Sequence, residues 1–353
     1  MNNYKSIEVH SVADFIEKSK QVLENEELIY YRGESQEYGR SKLIPSLIRR
    51  GLPEYQVINE YVKQYPEKFD ALKNNTARLS LMQHMTLPTR LLDITRNKLV
   101  ALFFATLSND EEDGYVYVFK PNKEVKYGTY SDTVEILSTL AFMDEDAKNE
   151  INALIQDFID EVIKSGITEA EYVLWYRKLV ESITITTNVN CCCCCCCGKK
   201  CCEEKTVECR LTKKYMKINQ NYQVLRLYHM IKQDVGDFQH VIDFGRMLEP
   251  EIFESSITSE RLKNQQGSFI IIPDVYRSKP QKNVLTANID KIHCKLAKLQ
   301  VKDQTSGELI RFKVPAGVKQ AIHAELDKDL NINKGTMFTD MESMAQYISE
   351  KFS

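Results

Sequence analysis

The stretch Gln83-His84-Met85-Thr86-Leu87-Pro88-Thr89-Arg90-Leu91-Leu92-Asp93-Ile94-Thr95 constrains the chain most. It runs on into Leu99-Val100-Ala101-Leu102-Phe103-Phe104-Ala105. A residue that precedes proline is pushed out of helical geometry, so the helical pattern before Leu87 ends in a turn at Leu87-Pro88. Beyond the turn, Arg90 and Asp93 sit three apart among apolar residues. Burying either charge is costly unless it finds a partner. The expectation is an internal Arg90–Asp93 clamp that holds the turn. The segment after it is apolar nearly all round, the mark of a buried helix.

A second landmark lies upstream. Leu28-Ile29-Tyr30-Tyr31 reads as a short strand that delivers Arg32 and Gly33 at its end. A guanidinium is a planar fork suited to phosphate or carboxylate. The structural alternative is a buried Arg32 tied to an acid such as Asp93. Glycine next to it allows a tight turn or close approach of a ligand to the backbone. A third landmark is Arg261-Leu262-Lys263-Asn264-Gln265-Gln266-Gly267-Ser268-Phe269, a turn feeding a buried strand.

These residues together resemble the FRG domain, named for an aromatic-Arg-Gly motif. Its members carry a Gln-His-x-x-Leu-Pro-Thr-Arg-Leu-Leu-Asp segment followed by a helix ending Ala-Leu-x-Phe-Ala. The matching positions here are Gln83, His84, Leu87 to Asp93, Ala101, Leu102, Phe104 and Ala105, with Tyr31-Arg32-Gly33 ahead of them. The third landmark and the tail are also similar to the family, so the resemblance spans about residues 25–350. A looser similarity is to ADP-ribosyltransferases, which open with an aromatic-Arg-Gly strand on the diphosphate of NAD. That resemblance implies NAD as the candidate cofactor, Arg32 on a diphosphate, and Gln265 or Gln266 on a ribose. The closing turn of those enzymes carries a catalytic glutamate, and none stands here. A glutamine can hydrogen-bond a ribose but supplies no charge. Their polar middle signature is also missing, unless Thr89 takes part of its role.

The candidate ligand-binding residues are therefore Tyr31, Arg32, Gly33, His84, Thr89, Arg90, Asp93, Gln265 and Gln266. His84 is either a general acid–base or base-stacking group, or a structural residue at a helix end. Catalytic residues are not assigned. There is no phosphate-loop Gly-x-x-x-x-Gly-Lys, no His-Glu-x-x-His, no Gly-x-Ser-x-Gly and no Gly-x-Gly-x-x-Gly, which removes the common nucleotide and hydrolase signatures.

A chain of 353 residues implies roughly two domains. With 43% hydrophobic and 27% charged residues it reads as a globular protein with a sizeable core. Its net charge of −3 gives no basic field, so nucleic acid is not supported as a partner. The apolar run from Leu99 to Leu107 is too short for a bilayer, and the N-terminus lacks the apolar core of a signal peptide. The expectation is a cytoplasmic protein without membrane contact, whose partner is a small nucleotide or another protein.

The fold class expected is α+β: a small mixed sheet covered by helices, with a helical insertion and a low-complexity Cys-rich loop. Strands are expected around Tyr31, Tyr115–Phe119, Phe269–Ile272 and Arg311–Val314. Helices are expected from Val12 to Leu23, over 53–65 and 75–86, and from Ala147 to Ile163 with Gly166 as cap. Further helices are expected after Thr168-x-x-Glu171 and Thr339-x-x-Glu342. The divisions that follow are an N-terminal helix over 1–24, the motif-bearing core over 25–130, a helical insertion over 131–255, and a C-terminal part over 256–353.

Of 11 cysteines, Cys191 to Cys197 are consecutive, and Cys201, Cys202 and Cys209 follow. Adjacent cysteines point in divergent directions, whereas structural zinc sites space their thiols by two to four residues. A low-complexity insert over 185–215 is the reading, with no metal assigned. Lys199, Lys200, Lys213, Lys214 and Lys217 make it locally basic, as a solvated loop would be.

Overall fold

The computed structural model describes residues 3–24, 26–121, 132–185, 207–255, 259–273 and 284–352. The Cys191–Cys197 run, Cys201, Cys202, Lys199 and Lys200 lie outside the described residues.

The strands are β1 (Tyr4–Glu8), β2 (Tyr30–Glu34), β3 (Leu91–Thr95), β4 (Gly114–Phe119), β5 (Glu251–Phe253), β6 (Gly267–Ile271) and β7 (Leu309–Val314). They form one sheet in the order β1-β7-β4-β2-β3-β6-β5. The β1–β7 pair is parallel and the other pairs are antiparallel. Six helices belong to the first third: α1 (Val12–Leu23), α2 (Ser46–Arg49), α3 (Glu54–Gln64), α4 (Pro66–Asp70), α5 (Asn75–His84) and α6 (Lys98–Thr106). The middle is helical, with α7 (Asp132–Leu140), α8 (Glu145–Lys164), α9 (Glu169–Ile185), α10 (Val207–Asn219) and α11 (Tyr222–Asp234). The last third adds α12 (Glu260–Asn264), α13 (Val284–Leu299), α14 (Ala316–Leu330), α15 (Lys334–Met337) and α16 (Met341–Lys351). The protein is α+β, a mixed sheet covered by helices. Among the described residues, no helix is long and apolar enough to cross a membrane.

Three apolar clusters hold these layers. One side of the sheet packs on α1, α6 and α14 through Phe15, Phe103, Val116, Phe312 and Ile322. The other side closes on α13 through Tyr30, Ile94, Tyr117, Ile270 and Leu296. The helical middle has its own core, with Ile151, Phe158, Trp175, Tyr215 and Tyr228, and reaches the sheet at Phe269 and Ile271.

Helix α6 is the central spacer, and small residues explain its position. A Cβ on Gly33 would lie 1.9 Å from the carbonyl oxygen of Ala101, and one on Gly114 would lie 2.2 Å from that of Ala105. Two glycines on neighbouring strands thus make a bare floor, and the alanines one helical turn apart let the α6 backbone settle on it. Gly33 is needed for this packing, and it also borders the cleft described below. What takes the space of its missing side chain is a helix.

The sequence reading missed β3. Leu91-Leu92-Asp93-Ile94-Thr95 is a strand, paired residue by residue with β6 from Leu91–Ile271 to Thr95–Gly267. It also missed β1, whose exposed and polar residues give no apolar run. The cap of α16 is Asp340, which accepts from Ser343 N, rather than Thr339.

Candidate functional site

Strand pairing creates the site. Strands β2 and β3 share a single paired position, Tyr31 with Thr95, and then diverge. The divergence opens a cleft of about 210 Å³ between the two strands, α6 and α12. Arg32 stands in the fork. Its Nε donates to Glu34 Oε1 at 3.1 Å, and its Nη1 reaches across the gap to the Asp93 carbonyl at 2.8 Å. Glu34 is buried and also accepts from Leu43 N at 3.1 Å, so it is a fixed counter-charge. The Arg32 side chain is 21% exposed and lines the cleft. The structural alternative for Arg32 holds with a different acid. It has an acidic partner, Glu34 rather than the Asp93 side chain, and it also meets an opening.

The Asp93 side chain is exposed and faces the same cleft. Its Oδ2 accepts from Gln83 Nε2 at 2.9 Å. Gln83 in turn accepts from Thr89 Oγ1 at 2.6 Å, and Thr89 Oγ1 accepts from Leu91 N at 3.1 Å. One carboxamide at the end of α5 thus fixes both the proline turn and the cleft carboxylate. Thr86 closes α5 with φ of 63°, and Leu87 N returns to Met82 O at 3.0 Å.

The expected Arg90–Asp93 clamp is overturned. Residues an odd number apart on extended backbone project to opposite sides, so Arg90 and Asp93 diverge. Arg90 is 2% exposed, and its Nε donates to Glu54 Oε1 at 2.7 Å. A second bond joins Arg90 Nη2 to Glu54 Oε2. Lys148 Nζ meets the same carboxylate at 3.2 Å. This buried group ties the turn to α3 and α8 and lies away from the cleft. Thr89, 1% exposed, is likewise internal.

Helix α12 supplies the facing wall. Arg261 and Gln265 line the cleft with Phe104 of α6 and Phe269 of β6. Arg261 lies over the Phe338 ring at 5.3 Å, and among the described residues it has no carboxylate in ion-pair contact. Gln265 donates through Nε2 to Met337 O at 2.9 Å, while its backbone carbonyl accepts from Thr95 Oγ1 at 2.6 Å. The donor end of its carboxamide is thus tied to Met337. Gln266 does not line this cleft; it turns to a neighbouring depression. His84 lies at the margin, with Nδ1 3.4 Å from Ser259 Oγ. Burial, and then the charge of Arg261, holds its pKa below the usual histidine range and favours the neutral ring. Tyr31 lines the cleft, and burial pushes its hydroxyl up to about 12, so it stays protonated.

The cleft thus gathers Tyr31, Arg32, Gly33, Asp93 and Gln265, with His84 beside it, and leaves out Thr89, Arg90 and Gln266. Sequence reasoning missed Arg261, Phe104 and Glu34. The signal for Glu34 was its place two residues after Arg32, which on a strand is the same face. Among the described residues, no group of three His, Cys, Asp or Glu could hold a metal ion.

Residues 27–114 match the family model of the FRG domain. The chain thus carries an FRG domain over these residues. Comparison with curated proteins and with solved structures gave no match. The matched range holds β2, α5, the proline turn, β3 and α6, hence one wall of the cleft. The other wall, with Arg261 and Gln265, comes from beyond the FRG match, about 150 residues further along.

Proposed function

We propose that the cleft beside the FRG motif binds a nucleotide, with Arg32 and Arg261 on its phosphates and Asp93 accepting from a ribose hydroxyl. The observation that carries this reading is the fork itself. Arg32 spends Nε and Nη1 on Glu34 and Asp93 O, and among the described residues its Nη2 has no protein partner. A preset guanidinium loses little freedom on meeting an oxyanion. Arg261 adds a second guanidinium, and Tyr31 and Phe104 supply aromatic surface. Arg32 is neutralised by Glu34, so Arg261 is the cation left to match a ligand charge, and Asp93 is the acceptor left for a hydroxyl.

Asp93 is also the one carboxylate among the described lining residues. In an ADP-ribosyl transfer it would be the group to stabilise a cationic ribose. The Gln265 and Gln266 contacts implied by the looser resemblance are replaced in this reading, because Gln265 is tied to Met337 O and Gln266 faces elsewhere.

Calorimetry with ADP tests the reading on the wild type and on Arg32→Ala. Losing a hydrogen bond to a charged group costs about 1.5–3 kcal/mol, so the variant should bind roughly 10- to 100-fold more weakly. A wild type that gives no heat with ADP or NAD would overturn nucleotide binding and transfer the cleft to a partner-binding role.

A further inference from the structure

We infer that the depression beside the cleft is a second subsite, which takes the other half of a dinucleotide and reads it through Gln266. This rests on the nucleotide reading of the first cleft. The second depression measures about 480 Å³ and shares Leu262, Gly267 and Ser268 with the first. The divide between them is thin. It is the Leu262 side chain and the bare backbone of Gly267, where an added Cβ would come within 2.9 Å of Leu262 Cδ2.

Backbone strain marks the same spot. Gln266 has φ of 46°, in the left-handed region that L-residues other than Asn and Asp seldom enter. The conformation is held from both sides. Gln266 N donates to Lys263 O at 3.0 Å, and Gln266 O accepts from Arg96 N at 3.1 Å. A glycine would fit this position without strain, and the chain spends its adjacent glycine at 267 instead. The strained residue leaves an exposed carboxamide on the wall of the second depression, with Arg96 and Lys263 beside it. The left-handed residue terminates α12 and at the same time sets the Gln266 side chain on the cavity wall.

The chemistry of that wall selects the ligand. A carboxamide offers donors and an acceptor side by side, which pair with an amide or with a nucleobase edge that presents the converse. Arg96 is paired with Glu254 at 3.3 Å on the same wall, so the exposed Lys263 is the cation left there beside the carboxamide. A mononucleotide would use the first cleft alone. A ligand with a second base or amide beyond a diphosphate would cross Gly267 and use both.

Calorimetry with NAD as the dinucleotide and ADP as its mononucleotide part tests this on the wild type and Gln266→Gly. Glycine accepts the left-handed backbone of position 266, and the variant removes the whole side chain that carries the carboxamide. The wild type is expected to bind NAD at least tenfold more tightly than ADP. In Gln266→Gly that preference should vanish while ADP affinity stays within twofold. ADP binding without a preference for NAD, or a preference that survives in the variant, overturns the second subsite alone. Binding of neither ligand overturns it together with the nucleotide reading.

Discussion

Replacing Glu54 with glutamine tests the internal wiring of the proline turn. Glu54 is 1% exposed and accepts from Arg90, 2% exposed, and from Lys148, 0% exposed. Lys148 also meets Glu145 at 3.0 Å. The substitution keeps the size of the side chain and removes the charge that both cations share. Breaking a buried ionic group by neutralising one member costs about 3–5 kcal/mol. Unfolding entropy near 2.1 cal/mol/K per residue amounts to roughly 0.7 kcal/mol/K for this chain, so the melting midpoint should fall by about 4–7 °C. Asp93→Ala is the comparison. Its carboxylate is exposed and makes one bond, to Gln83 at 2.9 Å, so its loss should cost about 1 kcal/mol and move the midpoint by roughly 1–2 °C. Thermal melts followed by far-ultraviolet circular dichroism read both. A Glu54→Gln midpoint within a degree of wild type, or an Asp93→Ala midpoint that falls as far, would refute the assignment of Arg90 to Glu54.

Gly33→Ala should destabilise by about 3 kcal/mol, because the new Cβ would meet helix backbone at 1.9 Å and neither element can yield cheaply; a variant that melts with the wild type would refute the close packing of α6. Glu251 is buried on edge strand β5, and burial above all pushes its carboxyl up to about 7 from an ordinary 4.5. A raised pKa gives stability that is complete below pH 4.5 and is lost as pH rises through 7, so the wild type should lose roughly 3 kcal/mol between pH 5 and 8 through this group. Glu251→Gln should remove that slope in urea melts at the two pH values, and a slope equal to the wild type's would refute it.

What the sequence made legible depended on how local the cause was. Helix α6 could be read because its apolar surround is contained in nine residues. Strand β4 could be read because Tyr115-Val116-Tyr117-Val118-Phe119 is rich in strand-forming residues. Arg32 could be singled out because a strand end and a glycine frame it. By contrast, β1 owes its conformation to β7, about three hundred residues away, and shows little of this in its own composition. Arg90 and Asp93 looked like a pair because three residues separate them, which is a neighbouring distance on a helix. The chain is extended there, and the true partner of Arg90 is Glu54, 36 residues upstream, where a glutamate at a helix start looks like an ordinary first-turn acid. Arg261 could be read as the head of the third landmark but not as a wall of the fork, since only the return of β6 beside β3 brings α12 there.

The arrangement also explains why one short segment bears both structural and ligand-facing residues. Extended backbone sends alternate side chains to opposite sides, so the turn and β3 present two sets at once. Arg90 points inward to α3 and α8, while Asp93 points to the cleft. At about 3.3 Å per residue the two lie roughly 10 Å apart, too far to share a ligand but joined by a rigid strand. Gln83 closes the loop by binding Thr89 and Asp93 together. The end of α5, the proline turn and the cleft carboxylate are therefore joined by hydrogen bonds, and the buried Glu54 group anchors the turn to α3 and α8. A change at Glu54 should then loosen Asp93 relative to Arg32, since the Arg32 contact to β3 is to the carbonyl of Asp93 itself. The buried ions shape the cleft without touching anything in it.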